Sequence, residues 1–277
     1  MKIQIEHGRN RSACIAPVTA WLMLVAGWLT LPGFAGADSK VYRTGFETPT
    51  FQVDGTLLGT DGWSLAIPPF LNPDAARITA DAARRGVQSV VVDGADLQSS
   101  GGATGPYDAV GSYRRPVNIE LQSRTRLARV DADLFLEKNQ PNLTPGEFFS
   151  LTLAARSGAG ETLGEIGLSS QGIVEGWDFE SGAGDSPTYS RPIRINKWYH
   201  ITILLDFDHR TTAYFVDEHF LGAFHTTSTS DVLARGSMNV YARPDGGDAG
   251  GPGSRRDNYK ARFDNFRISM HGAAPDM

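Results

Sequence analysis

Apolar and polar residues alternate with a period of two in short runs over most of the chain beyond residue 40. Gly, Pro, Asp and Asn separate the runs. A period of two places successive side chains on opposite faces of a strand, so the pattern predicts half-buried β-strands. Within Leu127 to Glu137, Val130, Ala132, Leu134 and Leu136 share one parity, while Asp131, Asp133 and Glu137 share the other. That predicts a strand with an acidic, solvated outer face at or near a sheet edge. Val87 to Val92 and Val117 to Leu121 read as further strands. Phe148 to Ala154 and Leu163 to Leu168 read as a pair around the turn Ser157-Gly158-Ala159-Gly160. Trp198 to Phe224 predicts a three-stranded meander: strands at about 199–206 and 212–217 joined by Asp208-His209-Arg210, then Phe220 to Phe224 after a turn at Asp217-Glu218-His219. Lys260 to Ser269 closes the chain with the same alternation. Helical turns are expected only near Pro73 to Arg85 and at Asp231 to Ala234. Many short strands with no helical layer to cover a sheet predict an all-β, two-sheet antiparallel β-sandwich. No repeat of fixed period is visible, which disfavours a solenoid or propeller.

Residues 1–37 break this pattern. Lys2, Arg9 and Arg11 precede the mostly apolar run Ala16 to Leu31, then Pro32-Gly33 and Ala35-Gly36-Ala37. A basic start, an apolar stretch and a small-x-small site predict a cleaved signal peptide, with Asp38 as the new N-terminus. A retained anchor is the other reading of that run. Cys14, the one cysteine, lies ahead of the run, where a lipobox cysteine would follow it. Cleavage of 37 from 277 residues leaves 240 without cysteine. Losing Lys2, Arg9, Arg11 and Glu6 changes 26 basic and 31 acidic residues to 23 and 30, a charge of −7. Disulfides and cysteine-based zinc are thereby excluded within the mature chain. An acidic chain without a basic stripe is a poor nucleic-acid binder. No second stretch reaches the roughly 18 apolar residues of a membrane span. The expected product is exported, secreted or periplasmic, with no membrane partner after cleavage.

Phe46-Glu47, Gly55-Thr56-Leu57, Asp61-Gly62-Trp63 and Gly86 to Val92 resemble the opening strands of bacterial concanavalin A-like (laminin-G-like) jelly rolls. The Trp198…Asp206…Tyr214-Phe215-Val216-Asp217…Leu221-Gly222 stretch is similar to their meander, and Asp264-Asn265-Phe266-Arg267-Ile268 to their closing strand. The resemblance implies one jelly-roll domain over 38–277. Glu218-His219 replace the glycine common after Asp217, so a looser turn is expected there. Such jelly rolls serve as lectins, binding modules, glucanases, lyases and adhesion domains, so the fold alone does not choose an activity. First and last strands of such sandwiches lie side by side, which would bring Glu47 near Asp264. Two carboxylates with backbone carbonyls would suit a structural calcium ion.

Catalytic signatures are sparse. Asp131-Ala132-Asp133 with Glu137 resembles the paired-carboxylate strand of retaining glucanases, but its composition and spacing differ. No Gln-x-His strand of alginate-lyase type is present. His200, His209, His219, His225 and His271 form no spaced metal pair, and no G-x-S-x-G elbow occurs. Glu175-Gly176-Trp177-Asp178-Phe179-Glu180 joins acids to aromatics. A Trp ring can cover the C–H face of a sugar while carboxylates hold its hydroxyls. Trp177 and Asp178 are therefore the expected carbohydrate contacts. The Gly-rich segment Ser99 to Pro106, ending at Tyr107 and Asp108, and Tyr241, ahead of the Gly/Pro-rich segment Arg243 to Gly253, would form the rim. A buried core Trp is the alternative for Trp177. The expected function is a secreted, non-catalytic carbohydrate-binding or adhesion-type domain whose partner is a polysaccharide or glycan. A glycoside hydrolase or polysaccharide lyase, and a structural envelope or matrix domain, are the alternatives.

Overall fold

The structure, a computed structural model, describes residues 39–65, 73–97, 109–120, 127–138, 148–179, 188–243 and 259–271. The expected export segment therefore lies outside the described residues. Among the described residues sheet A has eight strands: β1 (Ser39–Thr44), β3 (Ala76–Thr79), β4 (Ser89–Asp93), β6 (Leu127–Lys138), β11 (Trp198–Asp206), β12 (Thr211–Val216), β13 (His219–His225) and β15 (Tyr259–His271). Sheet B has seven: β2 (Ser64–Leu65), β5 (Ala109–Glu120), β7 (Phe148–Ser157), β8 (Thr162–Ser169), β9 (Ile173–Trp177), β10 (Tyr189–Pro192) and β14 (Val232–Arg243). Their orders are β13-β12-β11-β6-β15-β4-β3, with β1 also on β15, and β10-β9-β8-β7-β14-β5-β2. Every pairing is antiparallel.

The alternation predicted from sequence builds the core. Val130, Ala132 and Leu134 of β6 and Ile201 and Ile203 of β11 are buried with Leu151 and Leu153 of β7 and Ile166 and Leu168 of β8. Each fully buried aliphatic side chain contributes about 1.5–3 kcal/mol, and one core fills the space between the sheets. First and last strands do lie side by side, Thr44 opposite Phe266.

Four expectations need correction. β6 is not at an edge: it runs between β11 and β15. Asp131 and Asp133 are accordingly buried, 2% and 3% exposed, not solvated. Asp231 to Ala234 does not turn as a helix; β14 begins at Val232 and lies between β5 and β7. Near Pro73 only Pro73–Ala75 forms a 3-10 turn. The turn after β12 is tight, with Val216 opposite His219 and both Asp217 (φ 49°) and Glu218 (φ 67°) in the left-handed region. That is the two-residue geometry matching strand twist, held here without glycine. Among the described residues no helix is long and apolar enough to cross a membrane.

Candidate functional site

The face of sheet B turned away from the core is polar. Ladder register sets Ser112, Asn239, Thr152, Gly167 and Glu175 in one row across five strands. The adjacent row is Arg114, Ser237, Ala154, Glu165 and Trp177. Glu165, 7% exposed, is the hub. Its Oε1 accepts hydrogen bonds from the Tyr241 hydroxyl at 2.9 Å, the Asn239 amide at 3.2 Å and the Thr152 hydroxyl at 2.5 Å. Its Oε2 lies 3.9 Å from the Arg156 guanidinium. Ser112 extends the network by donating to Asn239 Oδ1 at 2.7 Å.

Tyr214 of β12 fixes this face from the opposite sheet. Its fully buried ring meets β9 at Gly176, where an added Cβ would stand 2.8 Å from the ring. The hydroxyl accepts from the Glu165 backbone N–H at 3.0 Å and donates to the Trp177 carbonyl at 2.6 Å. Residues directly opposite on β8 and β9 are thus locked by one side chain.

Several buried polar atoms on the same face have no hydrogen-bond partner among the described residues: Ser150 Oγ, Ser237 Oγ, Glu175 Oε2 and Arg235 Nε. Leaving such an atom unsatisfied costs about 1–3 kcal/mol, and native proteins keep few of them. Burial pushes the Glu175 carboxyl above its ordinary pKa. The arrangement offers donors, acceptors and an aromatic ring to a ligand able to complete them.

Trp177 is half-buried on this face, not a core residue. Asp178 follows the end of β9 and so lies off the ladder. Tyr241 is on the face, but its hydroxyl supports Glu165. Tyr107 and Asp108 lie outside the described residues. Glu47 and Asp264 are elsewhere, at the segment linking β3 to β4. Glu47 Oε1 accepts from the amides of Val87 and Gln88 at 2.9 and 3.1 Å. Asp264 Oδ2 accepts from the amides of Arg84 and Arg85 at 2.8 and 3.0 Å, and its Oδ1 from that of Asn265 at 2.7 Å. Burial raises the Asp264 pKa to about 6, against the lowering effect of those amides. Amide hydrogens thus point their positive ends at Glu47 Oε1 and at both Asp264 oxygens, the residues of the expected calcium site. Among the described residues no cluster of three or more His, Asp or Glu is placed to hold a metal.

The carboxylate–amide contact does hold the segment in place. Gly86 has φ +77°, and an added Cβ would collide with the Glu47 carboxylate. Gly86→Ala is expected to displace Glu47 from the two amides and destabilise by about 1–3 kcal/mol. Urea unfolding of the variant measures this, and an unchanged midpoint would refute the role.

Sequence reading missed Glu165, Thr152, Asn239, Ser237 and the three arginines of this face. One signal was available. Ser150, Thr152 and Ser237, Asn239, Tyr241 alternate with core residues on two strands, an uncharged polar run bounded by Arg156 and Arg235 at one end.

No family model and no curated protein matches the sequence. Solved structures do match in fold. An endo-1,3-beta-glucanase from Streptomyces sioyaensis is 11% identical with TM-score 0.56, over 89% of this chain and 100% of that one. A conserved carbohydrate esterase from the Shiga toxin-encoding bacteriophage phi24B is 10% identical with TM-score 0.52, over 85% of this chain and 100% of that one. A sialidase is 12% identical with TM-score 0.48 over 86% of this chain, which spans only 19% of the sialidase. At such identities the likeness is one of fold.

Proposed function

On the scaffold of a concanavalin A-like jelly roll, we propose that the outer face of sheet B binds carbohydrate. We read the chain as an exported, non-catalytic carbohydrate-binding or adhesion-type domain formed by residues 38–277. One observation carries the reading. The Trp177 ring, half-buried on the outer face, stands directly opposite Glu165, on the same face as buried polar atoms that lack partners among the described residues. Sugars present a flat apolar C–H face together with pairs of hydroxyls, and this face supplies a counterpart for each. The glucanase and esterase that share the fold have carbohydrate-directed names, which supports the same ligand class.

Trp177→Ala is expected to weaken glycan binding about three- to tenfold through lost stacking while leaving folding cooperative. A glycan array identifies a ligand, and calorimetric titration of both proteins measures the change. Unchanged affinity would place the site elsewhere. A hydrolytic reading is favoured by one feature: Glu175, pushed toward its neutral form by burial, lies diagonal to the hydrogen-bonded Glu165 on the neighbouring strand. Carboxyl groups in contrasting environments can divide acid and base roles. Release of reducing ends from the bound glycan, abolished by Glu175→Gln, would replace the binding reading with that one.

A further inference from the structure

Arg235 of β14 stands directly opposite Arg156 of β7, and Arg114 of β5 is paired with Ser237 two positions along β14. Gly236 and Ala155 between these positions face the core, Gly236 against Phe266 and Ile268, so the arginines project from the outer face. Like charges directly opposite on neighbouring strands destabilise a sheet. The repulsion is felt: burial, then the charges of Arg114 and Arg156, hold Arg235 below the ordinary guanidinium pKa. Partners inside the protein relieve it only in part. Arg114 Nε donates to Ser64 Oγ at 3.2 Å, and Arg156 donates to Thr162 Oγ1 at 2.6 Å. The Arg156–Glu165 approach is a loose 3.9 Å, and that carboxylate already accepts three hydrogen bonds. Among the described residues, buried Arg235 Nε has no acceptor, and the hydroxyl of Ser237, 1% exposed, has no partner.

We propose that Arg114, Arg156, Arg235 and Ser237 form an anion subsite at one end of the carbohydrate face, selecting glycans that carry carboxylate or sulfate groups. The inference rests on the carbohydrate-binding reading and names the substrate class of the same face. Guanidinium groups match both anions by paired hydrogen bonds, and an anion would lower the repulsion among the three while satisfying Arg235 Nε and Ser237 Oγ. Ser237 shares a ladder row with Glu165 and Trp177. A chain lying along that row would stack one ring on Trp177 and present its charged substituent to the arginines.

The test titrates the folded protein with three hexasaccharides, one neutral glucan, one polyuronate and one sulfated, at low and high salt. An acidic ligand is expected to bind about tenfold tighter than the neutral one, with high salt narrowing the gap. Arg235→Gln should remove the preference for the acidic ligand, whereas Trp177→Ala should weaken every ligand and keep the preference. Arg114→Gln gives the same readout if Arg235→Gln fails to fold. Preference for the uronate alone would assign carboxylate, and for the sulfated sugar alone, sulfate. Equal affinity for neutral and acidic ligands, or a preference that survives both arginine variants, would overturn the subsite and spare the carbohydrate reading. Binding of none of the three would overturn both.

Discussion

Replacing Tyr214 by Ala is expected to cost about 3–5 kcal/mol of folding stability, and Tyr214→Phe about 1–3 kcal/mol. The ring fills the gap left by Gly176 and lies against Phe224, with centroids 5.8 Å apart, so truncation opens a cavity between the sheets. The Phe variant keeps that packing and removes only the hydroxyl. It leaves the Glu165 N–H and the Trp177 carbonyl without their shared partner. Burial raises the phenol well above its ordinary pKa, so the hydroxyl donates at every physiological pH. Because it holds β8 and β9 at Glu165 and Trp177, Tyr214→Phe should also weaken glycan binding from within the core. Denaturant unfolding and ligand titration of the two variants check both effects. A Phe variant equal to wild type in stability and affinity would show that the hydroxyl positions nothing.

Asp131→Ala is expected to be similarly damaging, about 3–5 kcal/mol, because it breaks a buried charge network from its centre. Asp131 Oδ1 accepts from Arg129 and, at 2.7 Å, from Thr202, and it lies 3.4 Å from His200 Nε2. Asp133 Oδ1 meets His200 Nδ1 at 2.8 Å. Burial pushes Asp131 upward, yet the His200 hydrogen bond and the Arg129 charge hold it below the usual carboxylate value. Hydrogen bonding to Asp131 and then Asp133 raises His200 from 6.5 to about 9. A histidine pKa raised by folding gives stability that is complete below the unfolded value and is lost as pH rises through the folded one. The lowered Asp131 pKa acts at the other end, its contribution being lost only as acid protonates it. Wild-type stability should therefore fall by about 1–3 kcal/mol between pH 6.5 and about 9, the side chain being 30% exposed. Unfolding curves across that range compare wild type with His200→Asn, which should lack the fall. A wild-type curve as flat as the variant's would contradict the charged triad.

The two ends of the chain illustrate what alternation alone conveys. Apolar parity in β6, β11 and β15 is visible residue by residue, and it determined the strands and the sandwich class, while the pairing of the first strand with the last was implied by the family resemblance of Phe46-Glu47 and Asp264-Asn265-Phe266. The meander around β12 was equally legible, because each turn is local and its residues are adjacent in the chain. β14 was not. Its Gly236, Ser237 and Asn239 have weak strand preference, and the strand exists because Gly236 admits Phe266 and Ile268 from the facing sheet.

The site divides in the same way. A Trp beside acids pointed to Trp177 from composition within six residues, whereas Glu165 gains its meaning from Thr152, Asn239 and Tyr241, which lie 13 to 76 positions away. Likewise, Asp131 and Asp133 read as solvated acids until β11 and β15 close over them with His200 and Asn265. Local sequence sets which face of a strand each side chain takes, since that depends only on the backbone repeat. Strand order and register decide which faces become buried and which distant groups meet, since these depend on packing across the whole sheet.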